Sequence, residues 1–237
     1  MENVIKVGVV VALILGIMFG IIFLQGYFTM KHIKENAEEL AEIPGFTMEI
    51  YTDLTEVDND TSDMDVEPSI IYSEYGDVRT VKQEGNFNII YGGVTYVVND
   101  VQNYYYTVDN ATNFPDYDLT NILPKDIDIN QSAWVLSKEL EVESTTFKGT
   151  KCNAVIFVEG NDTYTTYLRK DDGVCIGKCE EINGEKKYEY YVVETEEINE
   201  SDFEFEALLG KYDKVIITAF ERPYVQRDNG MKEYIDM

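Results

Sequence analysis

The chain has 237 residues, which allows one domain of moderate size plus an anchor or tail. Aromatic side chains make up 13% of it, mostly tyrosine, and that much apolar material excludes a disordered chain despite a net charge of −26. The same charge repels nucleic-acid phosphates and anionic headgroups, which argues against nucleic acid as a partner and leaves cations or basic surfaces for any long-range attraction.

The first element is an apolar run, Val7–Leu24, "VGVVVALILGIMFGIIFL". About 20 apolar residues in a helix span a bilayer core. No small-x-small cleavage site and no lipobox cysteine follow, so residues 1–30 read as an uncleaved membrane anchor rather than a signal peptide. Gly16 and Gly20 form a GxxxG pair of the kind that brings membrane helices together. Lys6 precedes the run, and Lys31, His32 and Lys34 follow it, which alone would place the C-terminal side in the cytoplasm. An acidic, tyrosine-rich body argues the other way. So do N-x-[ST] sequons at Asn59, Asn110, Asn130, Asn161 and Asn199 and cysteines able to pair. The expectation is a single-pass protein of the cell membrane with an extracytoplasmic C-terminal body.

Residues 31–45, "KHIKENAEELAEIPG", predict a helical connector broken at Pro44–Gly45. Phe46–Val57 alternates as a strand does. Asp58–Pro68 is an acidic loop with the carboxylate density of a calcium loop. Asp63 stands where such a loop needs glycine, so it reads as a solvated loop. From Ser69 to Asp109 short strands alternate with Gly-Asp, Gly-Asn, Gly-Gly and Asn-Asp turn signals, an antiparallel meander. Residues 111–141 are less regular, with two prolines and short helices expected near Leu119–Leu123 and Asn130–Ser137. A second meander follows: "TKCNAVIFVE", "TYTTYLRK", "VCIGKCEEI" and "EKKYEYYVVETEEI", with a hairpin at Asn183–Gly184. Beyond it lie "NESDFEF" and the apolar patch "KVIITAF".

Turn lengths give a register for the second meander. A two-residue loop at Gly160–Asn161 or Asn161–Asp162 sets even positions before it opposite odd positions after it. A three-residue "DDG" loop sets Arg169 opposite Cys175, and Asn183–Gly184 sets Gly177 opposite Tyr190. One face then carries Cys152, Ala154, Ile156, Val158, Tyr167, Cys175, Gly177, Cys179, Tyr188, Tyr190 and Val192. The other carries Val155, Phe157, Tyr164, Leu168, Ile176, Tyr191 and Val193. Both faces are apolar, whereas a sheet with one wet face alternates, so helices, a partner or a ligand must cover the second face.

Cys175 and Cys179 sit four apart on one strand, about 13 Å at 3.3 Å per residue, too far for a disulfide or for one zinc ion. The only histidine, His32, adjoins the anchor, and no metal site is expected. Cys152 and Cys175 fall on the same face near the same turn and are the candidate disulfide, with three small buried hydrophobes as the other reading.

The order of these strands and turns resembles the LolA-like superfamily of lipoprotein carriers and anchored envelope lipoproteins. The resemblance rests on Asp77–Asp109, "FKGTKCNAVIF" (Phe147–Phe157), Thr165–Ile198 and "SDFEF" (Ser201–Phe205), and covers about Lys34 to Phe205. Three features depart from that pattern: the missing lipobox, Glu206 in place of a proline, and the third cysteine, Cys179. The resemblance implies a mainly β (α+β) domain, a curved antiparallel half-barrel sheet covered by short helices. Here it would be preceded by one transmembrane helix. The domains would be 1–30 anchor, 31–45 connector, 46–205 LolA-like β domain and 206–237 a C-terminal segment. It also implies that the concave face can hold an acyl chain, and it carries over no catalytic residue.

The expected ligand site is therefore Ala154, Ile156, Val158, Tyr167, Gly177, Tyr190 and Val192, with Gly177 as the floor of a groove, a lipid or acyl chain as ligand, and no cofactor. The alternative is a sensory or structural ectodomain that binds an envelope protein and uses these faces only as core. No G-x-S-x-G, H-E-x-x-H, phosphate loop or Cys–His pair points to an enzyme.

Overall fold

The computed structural model describes residues 24–54, 67–83, 86–109, 117–196, 198–218 and 221–235. The membrane-anchor run up to Phe23, the Gly16–Gly20 pair, most of the acidic loop 58–68 and the sequons at Asn59 and Asn110 lie outside the described residues. Among the described residues no helix is long and apolar enough to cross a membrane.

The chain forms two compact units, interleaved in sequence: one from 1–42, 53–64 and 118–189, the other from 43–52, 65–117 and 190–237. Both are mainly antiparallel β with short helices, as the turn spacing predicts. The first unit opens with helix α1, residues 24–41, which buries Met30, Ile33, Ala37 and Leu40 at three- and four-residue spacing. The Lys34 amine donates to the carbonyls of Ile129 (2.7 Å) and Gln131 (2.6 Å), fixing α1 against the irregular section. That section turns through Pro124–Asp126, a 3-10 turn with proline at its start. It then forms α2, Ala133–Glu139, whose first turn is capped by the Ser132 hydroxyl accepting from the Val135 N–H at 3.3 Å.

Strand β7 (Glu141–Phe147) follows, then β8 (Thr150–Glu159), β9 (Asp162–Arg169), β10 (Cys175–Ile182) and β11 (Glu185–Glu194), in the spatial order β11-β10-β9-β8-β7. The β10–β11 hairpin turns on Asn183 (φ 54°) and Gly184 (φ 83°), the doubly left-handed pair that a two-residue hairpin needs. Strand β7 was not foreseen. It alternates charged and hydroxylated residues with almost no apolar stripe, and it is exposed from Glu143 to Thr146 at the sheet edge.

The second unit takes β1 (Gly45–Leu54), β2 (Ile70–Tyr75), β3 (Val78–Gln83), β4 (Asn86–Tyr91), β5 (Val94–Asn99) and β6 (Tyr104–Asp109), each antiparallel to the next. β11 runs on into this unit beyond residue 189. One face of the meander buries Met48, Ile50, Ile70, Tyr72 and Val81. The other carries Val78, Ile89 and Val98, roofed by the C-terminal segment. That segment makes a 3-10 turn (Glu200–Phe203), α3 (Phe205–Leu209) and strands β12 (Asp213–Ile216), β13 (Tyr224–Gln226) and β14 (Lys232–Tyr234). Leu209 joins the Val78–Ile89–Val98 cluster, and Phe205 stacks on Tyr91 at 4.5 Å and edge-on to Tyr96 at 4.8 Å. β12 pairs with β6 in parallel, Asp213 opposite Tyr104. The tail beyond Phe205, unassigned from sequence, is thus the lid of the second unit's core.

Candidate functional site

The expected ligand face is partly assembled and partly filled. Ala154 lies opposite Tyr167, and Tyr167 opposite Gly177, so three of its residues form one row across β8, β9 and β10. Ile156 and Val158 continue along β8, the first half-buried and the second exposed. Tyr190 and Val192 are half-buried residues of the second unit, where the Tyr190 ring lies 5.7 Å from that of Tyr51. The floor of the row is occupied by the chain's own side chain. Phe147, the last residue of β7, stacks flat on Tyr167 with centroids 4.1 Å apart and 9° between planes. Its edge covers Gly177, where an added Cβ would stand 2.4 Å from Phe147 Cε1. Glycine is present there because a ring packs onto the backbone, and over Gly177 the row is core.

The cysteines require a correction. Cys175 lies opposite Leu168, not Arg169, and a bulge at Ile176 then restores Gly177 opposite Tyr167. The turn is one residue longer than assumed: the Arg169 N–H donates to the Val174 carbonyl at 2.8 Å and the Gly173 N–H to the Arg169 carbonyl at 2.9 Å. Asp172 shapes it, accepting from Arg169 Nε at 2.9 Å and from the Val174 N–H at 3.1 Å. Burial works to raise the Asp172 carboxyl, but these bonds together hold it below the usual range. The extra residue turns Cys175 to the face opposite Cys152, so the Cys152–Cys175 disulfide does not form; Cys152, Cys175 and Cys179 are all free and buried. The neighbouring bulge is the kind of irregularity that a glycine inside a strand announces.

Burial pushes the Cys152 and Cys175 thiols up to about 11, and burial raises Cys179 as well. Thiols so placed are poor nucleophiles. Non-reducing peptide mapping is expected to find three free thiols that alkylate only slowly at neutral pH, and reductant is expected to leave Tm unchanged. A Cys152–Cys175 link would overturn this register. Among the described residues no cluster of three metal-ligating side chains occurs.

The concavity that sequence reasoning missed lies in the second unit. A cleft of about 290 Å³ opens between β1–β4 and the segment Ile198–Leu208. Its floor is two cross-strand rows: Thr47–Ser73–Thr80, and Ile71–Lys82–Phe87. The Thr47 hydroxyl donates to Ser73 Oγ at 3.0 Å, which orients the polar row. Ile198, Phe203 and Leu208 supply the apolar roof, with Asn199 and Asp202 at the rim. Lys82 is the single basic side chain in the lining, and its amine lies 5.6 Å from the Phe87 ring centroid. The arrangement has an apolar interior, a short strip of hydroxyls and one cation. Its volume is at the lower bound for small-molecule sites. The sequence carried one signal for it, the segment "NESDFEF", in which Phe203 and Phe205 stand as large apolar residues in an otherwise polar stretch.

Strand by strand, then, the chain is a mainly antiparallel β protein with few short helices, and its C-terminal segment roofs one face of the second unit's meander. No protein-family model matches the chain, and no curated protein matches it. Among solved structures it is similar to a DUF1329 family protein from Desulfovibrio piger, at 10% sequence identity and a TM-score of 0.29, over 78% of this chain and 98% of that one. A likeness that loose carries no argument about ligand or activity.

Proposed function

We propose that this protein is a membrane-anchored extracytoplasmic binding domain, and that it takes a small amphipathic ligand, an apolar chain with an anionic end, into the cleft between β1–β4 and Ile198–Leu208. The cleft carries the reading. Ile71, Phe87, Phe203 and Leu208 offer apolar contact, and Lys82 offers one positive charge in a chain whose net charge is −26. The apolar run Val7–Leu24 supports the anchor, and the strand order that resembles LolA-like carriers supports a ligand of lipid character. No catalytic step is assigned to it. The three thiols are buried and raised, and the single histidine, His32, is exposed on α1.

The test is photolabelling of the full-length protein in nanodiscs with a fatty acid bearing a photoreactive group. Labelled peptides are expected to map to residues 80–87 and 198–208, and Ser73→Trp, which fills the cleft, is expected to abolish that labelling while leaving the β signal intact. Labelling confined to Ala154–Val158, or none in the β units, would overturn the cleft assignment. The second outcome would favour the protein-binding ectodomain, whose specific support is Phe147 seated over Gly177 as core.

A further inference from the structure

At the N-terminal end of α1 large apolar side chains stand in solvent. Leu24 is 52% exposed and Phe28 60%, while Met30, Ile33, Ala37 and Leu40 farther along the same helix are buried. Leu24 and Phe28, four apart, share a helix face. Gly26, between them, faces α2: a Cβ there would lie 3.8 Å from Ser137 Cβ. On α2, Trp134 and Val135 are 48% and 38% exposed. Trp134, Ser137 and Lys138 share the face of α2 that meets Gly26, and the Lys138 amine lies 4.8 Å from the Trp134 ring centroid. The positions of all four therefore lie within about one helical turn, roughly 5 Å along either helix axis, of the Gly26–Ser137 contact, with Leu24, Phe28 and Val135 directed away from that contact and Trp134 beside it.

Leu24 is also the last residue of the run Val7–Leu24. If that run spans the bilayer, its end marks the hydrocarbon boundary, and Gly26 comes about 3 Å later along a helix. We infer that the first turn of α1 and helix α2 form a membrane-contacting patch, in which Trp134 and Val135 lie in the headgroup layer of the bilayer that anchors the chain. The residue types suit that layer. Tryptophan and tyrosine concentrate there, and Tyr27, next to Gly26 in the chain, stands edge-on to Phe28. Lysines there lay their stems along apolar surface and keep the amine in water, which Lys31 and Lys138 are placed to do. With a net charge of −26, the chain matches a zwitterionic surface better than an anionic one. α2 then fixes how the first unit stands on the membrane. The inference rests on the anchor reading made above, and its test separates the two.

Trp134 is the only tryptophan in the chain, so its emission reports on the patch without any substitution. The full-length protein is reconstituted in phosphatidylcholine vesicles, and a matched sample contains phosphatidylcholine brominated near the carbonyl end of its chains. Vesicle flotation is measured on the same samples. The protein is expected to float with the vesicles, and Trp134 emission to be blue-shifted and to lose roughly half its intensity to the shallow bromines, and less to bromines near the chain ends. Protein that floats but whose emission ignores the bromines and is quenched by aqueous acrylamide would overturn the patch and leave the anchor standing. That outcome would assign Trp134 to water or to a protein partner. Protein that fails to float would overturn the anchor and the patch together.

Discussion

Gly177→Ala is expected to destabilise the protein by about 2–3 kcal/mol, from the addition of one methyl group. The new Cβ would stand 2.4 Å from Phe147 Cε1, 2.8 Å from Phe147 Cζ and 2.6 Å from the Glu189 carbonyl oxygen. Phe147 cannot slide aside cheaply, because its ring is stacked on Tyr167 at 4.1 Å. The Glu189 carbonyl is backbone within a strand and has even less room. A shifted urea midpoint at unchanged slope would report the loss. Phe147→Ala in the same background is expected to remove the ring clash and leave the carbonyl clash, so the pair should be markedly non-additive. A neutral Gly177→Ala would mean that Gly177 is an open groove floor after all.

Tyr72→Ala is expected to cost more, about 3–5 kcal/mol, because it deletes a fully buried aromatic ring. The ring packs 5.5 Å from Phe46 and meets Tyr117 edge-on at 5.3 Å. Its hydroxyl donates to Glu74 at 2.5 Å, and Glu74 also pairs with Arg79 at 3.2 Å. Tyr72→Phe keeps the ring and removes only the hydroxyl, so it is expected to cost about 1.5–3 kcal/mol, the range for a hydrogen bond to a charged group. Equal losses in the two variants would show that the hydroxyl, rather than the ring, carries the stability of this face.

What could be read from the sequence was what neighbours in the chain decide. Asn183–Gly184 and Gly160–Asn161 set their hairpins through backbone conformation alone, and the parity of β8 against β9 followed: Cys152 opposite Arg169, Ala154 opposite Tyr167. The next turn could not be counted the same way. "KDDG" closes as a longer loop because the Asp172 side chain binds Arg169 and the Val174 N–H, and letters alone do not show that geometry. The bulge at Ile176 then absorbed the extra residue, which kept Gly177 on its face and moved Cys175 off it. β7 was invisible because an edge strand has no need of an apolar stripe. The cleft was invisible because its floor and roof are far apart in sequence. Thr47, Ser73 and Thr80 read as ordinary strand residues until Phe203 and Leu208 are brought over them.

The roof over Val78, Ile89 and Val98 comes from a segment far downstream of the strands it covers, and this matters during synthesis. Once Asp109 has emerged, every hairpin from β1 to β6 can close on local contacts, yet Ile89 and Val98 still lack Leu209 and its aromatic neighbours. The intervening stretch includes all of β7 to β10, which must be made, and can collapse, first. At 5–20 residues per second that delay is on the order of 5–20 s, with one apolar face of a five-hairpin meander open to other chains. The segment from Phe203 to Tyr212, made long after β6, ends this exposure, so a product terminated before it would keep its hairpins and be prone to aggregate.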